Sequence, residues 1–487
     1  MKSPSAGMTH HFFDEQQVVF PAELAVGTVI KLQQDLQDNA ARYDIDLVDF
    51  EDVAPPLPQP PGSISITDAA YGAVAGPTDP TTAASNQTAI NKAIADASAQ
   101  GKVLWIPAGT FTLSPLPSPV PNYNEVPKLF VKGSVTIQGA GMWYSRLQGF
   151  GAQFELAGTP EQGPAPWSPL QVTYEFHDFA LFGDVTYRLN CNSGWQGFDG
   201  PWGNDSKLVN VWIEHETAGV WLGMGWDFAT PLANPSMTQG LLIHGARIRD
   251  TYADGVNMAD GTSGTTIEQT NVRNTGDDSL VTWSNSQDGP YPCSNNLVQF
   301  NTVQAVWQAN CFAMYGGASN SFQNNTCADT ADKAGVFIAT SAFNPLAFTG
   351  TNEFLHNTLT RAGGVHDGDD YAGAGALYLS SASPPVQGIT IQDLDIESPT
   401  LAGINFQLGS FDNVTLSGVT VNDYGSFGTV TSNGQNFIPA GIEIEGAANG
   451  SVEFDDVALT NGCSGAPGLK NDGTGLTIDQ GSGDTGW

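Results

Sequence analysis

Three carboxylates carry the strongest chemical signal in the sequence. Asp277 and Asp278 follow Gly276 in Asn274-Thr275-Gly276-Asp277-Asp278-Ser279, and Asp254 stands 24 residues before Asp278 in Tyr252-Ala253-Asp254-Gly255. Carboxyl groups held close together repel when ionised, which raises at least one pKa. A protonated acid beside an ionised base is what cleavage of a glycosidic bond requires. A Gly-Asp-Asp turn alone is more often a solvated loop or a cation site. Its placement against a second Asp is what turns the reading toward catalysis. Other polar groups carry less. Asp367, Asp369 and Asp370 form an acidic loop with no partner, read as solvated or as a structural calcium site. Asp393 and Asp395 alternate on a strand and are expected at the surface, and His215 and His244 read as hydrogen-bonding residues. The sequence contains no Gly-x-Ser-x-Gly elbow, phosphate loop or His-Glu-x-x-His motif.

The elements that must position the carboxylates repeat. Gly followed by apolar, any, apolar recurs as Gly219-Val220-Trp221-Leu222, Gly255-Val256-Asn257-Met258, Gly335-Val336-Phe337-Ile338, Gly403-Ile404-Asn405-Phe406 and Gly441-Ile442-Glu443-Ile444, with Ser279 and Cys311 replacing Gly in two further copies. A second element precedes it, led by Ile243, Ile267, Val298, Phe322 and Phe354, at intervals of 24, 31, 24 and 32 residues. A unit with a minimum of 24 residues, alternating apolar positions and Gly- and Asn-rich turns is a stacked-strand solenoid. The fold class expected is all-β, a right-handed parallel β-helix. Registered on the Gly-apolar element, the preceding residue is Ala218, Ala334, Ala374, Ala402 or Ala440 in most coils. In three consecutive coils it is Asp254, Asp278 and Asn310. Adjacent coils lie about 4.8 Å apart, so Asp254 and Asp278 should stack at about that distance. Asn301, Asn325 and Asn357 share another slot, where stacked amides would bond from coil to coil.

Composition agrees with this architecture and excludes others. The chain of 487 residues has a formal charge of −34 and a pI near 4.1, which would repel phosphate backbones and anionic lipid. No apolar run approaches the roughly 18 residues of a membrane span. Residues 1–61 form an N-terminal extension ending in the Pro-rich linker Pro55-Pro56-Leu57-Pro58-Gln59-Pro60-Pro61, and residues 62–487 the β-helix. One helix, Ser85 to Ala99, is predicted as a short N-terminal cap, started by Ser85 or Asn86, faced by Ile90, Ile94 and Ala97 and ended by Gly101. Of five cysteines, Cys327 is expected as a buried free thiol, while Cys191 and Cys293 could bridge in a secreted protein. The first eight residues lack the apolar core of a signal peptide. The expectation is an extracellular monomer whose signal peptide lies outside this sequence.

Trp221, Tyr252, Trp283, Trp307 and Tyr315 gather near the carboxylates, with Asn257 and Asn310, as candidate substrate-binding residues. Flat rings pack on sugar C–H faces, although about half of them would serve the core. Thr67-Asp68-Ala69-Ala70-Tyr71-Gly72-Ala73-Val74, the helix and Trp105-Ile106-Pro107-Ala108-Gly109 resemble the N-terminal cap of the pectate-lyase-like β-helix superfamily. The stretch from Arg247 to Asn257, that from Val272 to Ser284, and Asn301-Thr302-Val303 with Asn310 through Gly317 resemble glycoside hydrolase family eighty-seven, the α-1,3-glucanases and mycodextranases. The resemblance implies an endo-acting, inverting hydrolase of α-1,3-linked glucan (mutan or nigeran) that needs no cofactor, with catalysis on Asp254, Asp277 and Asp278. The family's pattern has a further Asp one coil later, where this sequence has Asn310 in the stacked slot and Asp288 in a loop. Asp278 is assigned the proton-donor role, with Asp254 and Asp277 activating water. Two alternatives stay open. A polygalacturonase or pectate lyase would want several Lys or Arg in the cleft, where only Arg249 and Arg273 are near. A non-catalytic polysaccharide-binding β-helix would keep the aromatics without needing the Asp stack.

Overall fold

The structure is a computed structural model that describes residues 15–33, 45, 48–115, 126–156, 168–185, 195–223, 236–287, 289–365, 373–432 and 434–487. The acidic loop at Asp367, Asp369 and Asp370, together with Cys191 and Asp288, lies outside these residues.

Strands stack in parallel into a β-helix, forming a sheet of 24 strands and another of 12. Each coil of the central region contributes three short strands, one to each of three faces. In one coil these are Leu242–His244, Arg247–Arg249 and Val256–Ala259; in the next, Thr266–Glu268, Asn271–Arg273 and Leu280–Trp283. Stacking is in register, with Ile243 beside Ile267, Ile248 beside Val272 and Val256 beside Leu280. The element led by Ile243 is therefore two strands rather than one. Gly245, Gln269 and Phe300 turn sharply between them in the left-handed region, with φ between 51° and 63°. Inward positions hold Val, Ile, Leu, Phe and Met in one continuous core, each fully buried side chain contributing about 1.5–3 kcal/mol.

Buried amides brace the turns. Asn325 Nδ2 donates to Asn357 Oδ1 at 3.0 Å, and Asn325 Oδ1 accepts from the backbone and side-chain amides of Asn301, both at 3.0 Å. Asn296, Asn320 and Asn352, each two residues before the leading apolar residues Val298, Phe322 and Phe354, form a second stack of the same kind, a slot not singled out from the sequence. Helix α1 (Pro80–Gln100) begins five residues earlier than expected. Asp79 caps it by accepting from the amides of Thr81 and Thr82, and Pro80 supplies a first position that needs no donor. Asn86, proposed as a cap, is buried and bonds the backbone of Val74 and Thr112. Gly101 ends the helix in the left-handed conformation.

The cysteine expectations are corrected. Cys327 is bonded to Cys311, not free, with Cα atoms 6.0 Å apart. Both side chains face the core, Cys311 just before the third-face strand Phe312–Tyr315 and Cys327 on the second-face strand Thr326–Ala328 of the next coil, a proximity that a separation of 16 residues does not reveal. Cys293 is a buried free thiol donating to the carbonyl of Met258 at 3.1 Å, and burial pushes its pKa up to about 12.

Candidate active site

The turns from the second face to the third carry the candidate carboxylates. Residues 250–255 and 274–279 occupy equivalent places in adjacent coils, and each is closed by a threonine. Thr251 Oγ1 donates to the carbonyl of Ala253 at 2.8 Å, and Thr275 Oγ1 to that of Asp277 at 3.1 Å. The slot deduced from the sequence exists as a backbone ladder. Gly219 N–H donates to Asp254 O at 3.0 Å, Gly255 N–H to Asp278 O at 3.1 Å, and Ser279 N–H to Asn310 O at 2.9 Å. Asp254 and Asp278 are therefore neighbours in one column. One oxygen from each of Asp254, Asp277 and Asp278 lies within 4.8 Å of the others, a spacing that would also suit a cation.

Burial sorts the three. Asp278 is 3% exposed and Asp254 7%, whereas Asp277 is half-buried. Burial, and then the charge of Asp277, raise the Asp278 pKa to about 6. Two neighbours oppose that rise. Tyr315 donates its hydroxyl to Asp278 Oδ2 at 2.6 Å. Asn310 donates to Oδ1 from its side chain at 2.6 Å and from its backbone at 3.2 Å. Asn310 is itself fixed, accepting from the Ala334 amide at 2.9 Å. Asn310 and Tyr315, expected to bind substrate, thus hold the carboxylate.

The aromatics form two groups rather than one open row. Trp221 and Trp283 meet edge to face at 6.0 Å on the outer side of the third face, where Tyr315 meets Phe343 at 5.1 Å. Asn257 lies next to Trp221 in strand register, buried, with an Oδ1 that has no hydrogen-bond partner among the described residues. On the other side of the carboxylates Tyr252 meets Trp307 at 6.4 Å, in a cluster with Phe150 and Trp195. Trp307 packs so closely on Gly276 that a Cβ there would lie 2.2 Å from the ring, which explains the glycine before the Asp pair. Trp221, Tyr252, Trp307 and Tyr315 are mostly buried, and Trp283 alone of the five is half-exposed.

Further acidic residues line the same edge. Glu216 is fully buried, neither carboxyl oxygen has a hydrogen-bond partner among the described residues, and burial pushes its pKa well up. Glu214, His215 and Asp250 offer ligand atoms within 4.8 Å of one another, and burial raises Asp250 to about 7. The sequence offered only one clue to them, their place in the turn before Asp254. His215 pairs with Glu214 at 3.2 Å and His244 with Glu268 at 3.1 Å, as expected of hydrogen-bonding histidines. Arg249 and Arg273 lie on the second face, where Glu15 holds both.

A parallel β-helix bearing three carboxylates beside aromatic side chains defines a glycoside hydrolase of the β-helix class. Residues 78–487 match the family model described as α-1,3-glucanase catalytic domain D2, and residues 1–53 that of domain D1. The chain belongs to this α-1,3-glucanase family, glycoside hydrolase family 87. Among solved structures, the catalytic domain of Agl-KA is 27% identical, with a TM-score of 0.72 over 88% of this chain and 70% of that one. The catalytic unit of the thermostable family-87 α-1,3-glucanase from Streptomyces thermodiastaticus strain HF3-3 is also 27% identical, with a TM-score of 0.68 over 90% and 71%. A family-87 α-1,3-glucanase catalytic domain in complex with nigerose shares the fold at 23% identity and a TM-score of 0.65, over 89% and 71%. No curated protein matches the chain.

Proposed function

We propose that the chain is an endo-acting hydrolase of α-1,3-glucan, mutan or nigeran, working through Asp254, Asp277 and Asp278 without a required cofactor. The observation that carries this is the meeting of three carboxylates within 4.8 Å where consecutive coils place Asp254 and Asp278 in a slot that holds alanine in several other coils. Asp278 is the proton donor, because burial and the Asp277 charge keep a proton on it up to about pH 6. Asp254 and Asp277 hold and deprotonate the attacking water. A second assignment exchanges Asp277 and Asp278, and the greater exposure of Asp277 favours it. Inversion belongs to the proposal on family membership. The close approach of the carboxyl oxygens is nearer the roughly 5 Å separation of retaining enzymes than the 6.5–9.5 Å of inverting ones. A galacturonan substrate is disfavoured, since Glu15 occupies Arg249 and Arg273 on the second face. The Cys311–Cys327 disulfide supports an oxidising compartment and so secretion.

The purified chain should release reducing sugars from α-1,3-glucan or nigeran and leave polygalacturonate intact. Cleavage of polygalacturonate with none of glucan would reverse the substrate, and release from no polysaccharide would favour a binding module. Proton NMR of the first product's anomeric configuration decides between inversion and retention.

A further inference from the structure

Arg249 and Arg273 are direct partners on adjacent strands of the second face. Two guanidinium groups side by side repel, and Arg249 is only 3% exposed, so this pair needs an anion to be stable. Glu15 supplies it from the N-terminal segment. Its Oε2 accepts from Arg249 Nε at 3.1 Å and its Oε1 from Arg273 Nη1 at 2.9 Å, while Asp49 lies 3.4 Å from Arg273 Nη2. The cost of burial is visible in Arg249, whose pKa it pulls down to about 10. The backbone amide of Glu15 makes a third contact, donating to Asp250 Oδ2 at 3.3 Å. Asp250 Oδ1 accepts in turn from the side-chain amide of Asn274.

Asp250 opens the turn that carries Asp254, and Asn274 opens the turn that carries Asp277 and Asp278. Both residues are left-handed, with φ of 50° and 63°, at the points where the chain leaves the second face. The contacts Glu15–Asp250–Asn274 therefore fasten the first residues of both turns to each other and to the arginine pair. From this geometry we infer that the N-terminal segment completes the active site, with Glu15 as a positioning residue that fixes the height of the Asp254 turn against the Asp277–Asp278 turn. The inference rests on the reading of these three aspartates as the catalytic carboxylates. A misplacement of about 1 Å between reacting groups can cost about a hundredfold in rate, so a clasp on both turns bears on turnover more than on binding.

The test compares the full chain with Glu15→Ala, Glu15→Gln and Glu51→Gln on a soluble α-1,3-linked gluco-oligosaccharide, with thermal melts of each. Glu15→Ala should lower kcat at least tenfold with KM within about twofold and a melting temperature within a few degrees of the parent. Glu15→Gln keeps the side-chain shape and one acceptor oxygen, and should recover part of that loss. Glu51 pairs with Arg247, away from both turns, and its substitution should leave kinetics unchanged. Parental kcat in Glu15→Ala would overturn the inference, as would a loss that only tracks the unfolded fraction by circular dichroism. An inactive parent chain would remove the reading of the carboxylates and the clasp with it, whereas an active parent equalled by Glu15→Ala removes the clasp alone.

Discussion

One backbone slot changes character along the β-helix. In the middle coils it holds Asp254, Asp278 and Asn310; toward the C-terminus it holds the small residues Ala334, Gly375 (the expected Ala374 stands one residue out of register), Ala402 and Ala440, and on the other side Ala218, with Gln196 beside it. The backbone does not distinguish them. Gly255 N–H reaches Asp278 O at 3.1 Å, and Gly403 N–H reaches Ala440 O at 3.0 Å. Folding therefore has no need of a carboxylate in the slot, and burying one is costly. The coils also differ in the strands beyond the slot. Toward the C-terminus Ile404–Ser417 and Ile442–Asp455 run unbroken for 14 residues each, the third face of one coil flowing into the first face of the next. In the middle the third-face strands stop after four residues, and insertions such as that holding Phe343 pack against Trp283 and Tyr315. The middle coils give up continuous strand for acid groups and walls. That exchange is the mark of a site.

The sharpest break of this contrast is Asp278→Asn, which keeps shape and removes the proton. We expect kcat to fall by about 10²–10⁴-fold in steady-state kinetics, the range in which a general acid contributes. Asp254→Asn and Asp277→Asn should also cripple turnover. Near-parental activity in Asp278→Asn would show that the aspartate slot differs from the alanine slot in residue type only.

Tyr315→Phe tests the role of Asp278 through the direction in which the pH profile moves. The phenol hydroxyl stabilises the ionised carboxylate, so removing it should raise the Asp278 pKa further, by about one unit for a hydrogen bond to a charged group. If Asp278 is the acid, activity persists to higher pH and the alkaline limb of kcat/KM moves up. If it is the base, the acidic limb moves up instead and activity at low pH is lost.

The same residue makes a smaller prediction about stability. The folded-state pKa of about 6 stands above the ordinary 3.8, so ionised Asp278 penalises the folded state above about pH 6. Below about pH 4 the carboxyl is protonated folded and unfolded, and the penalty vanishes. Asp278→Asn should therefore raise the melting temperature at pH 7–8, by an amount equivalent to the order of 1–3 kcal/mol, with no gain at pH 4. A loss at pH 7 would make Asp278 a structural residue or part of a cation site.

Period and slot made most of this legible in the sequence. The alternation of Val256 with Met258 and Leu280 with Thr282, repeated at 24 residues, was enough to place Asp254 over Asp278. What stayed hidden depended on contacts without a period. Cys311 and Cys327 face each other only because the chain winds from the third face of one coil to the second face of the next. Tyr315 and Asn310 were near the site in register, but their grip on Asp278 depends on side-chain direction, which alternation leaves open. Glu15 is 235 residues from Asp250, and nothing local to either announces the other.

The weakest predicted effect lies in the turn column itself, one position beyond the second face. There Asp250 and Asn274 are buried among the site's carboxylates, while two and three coils beyond Asn274 the residues Asp329 and Arg361 hold the equivalent left-handed positions, with φ of 64° and 48°. Arg361 grips Asp329 through two hydrogen bonds, at 2.5 and 2.8 Å, but both side chains are 47% exposed. An exposed pair gains little over its hydrated state, typically about 0.2–1 kcal/mol. Asn tolerates the left-handed conformation as Asp does, so Asp329→Asn removes the charge without straining the turn. We expect a melting temperature within about 2 °C of the parent and unchanged kcat. A tenfold loss of activity would mean that the turn column acts as a unit along its length, and that the functional contrast between the coils does not stop where the aspartates do.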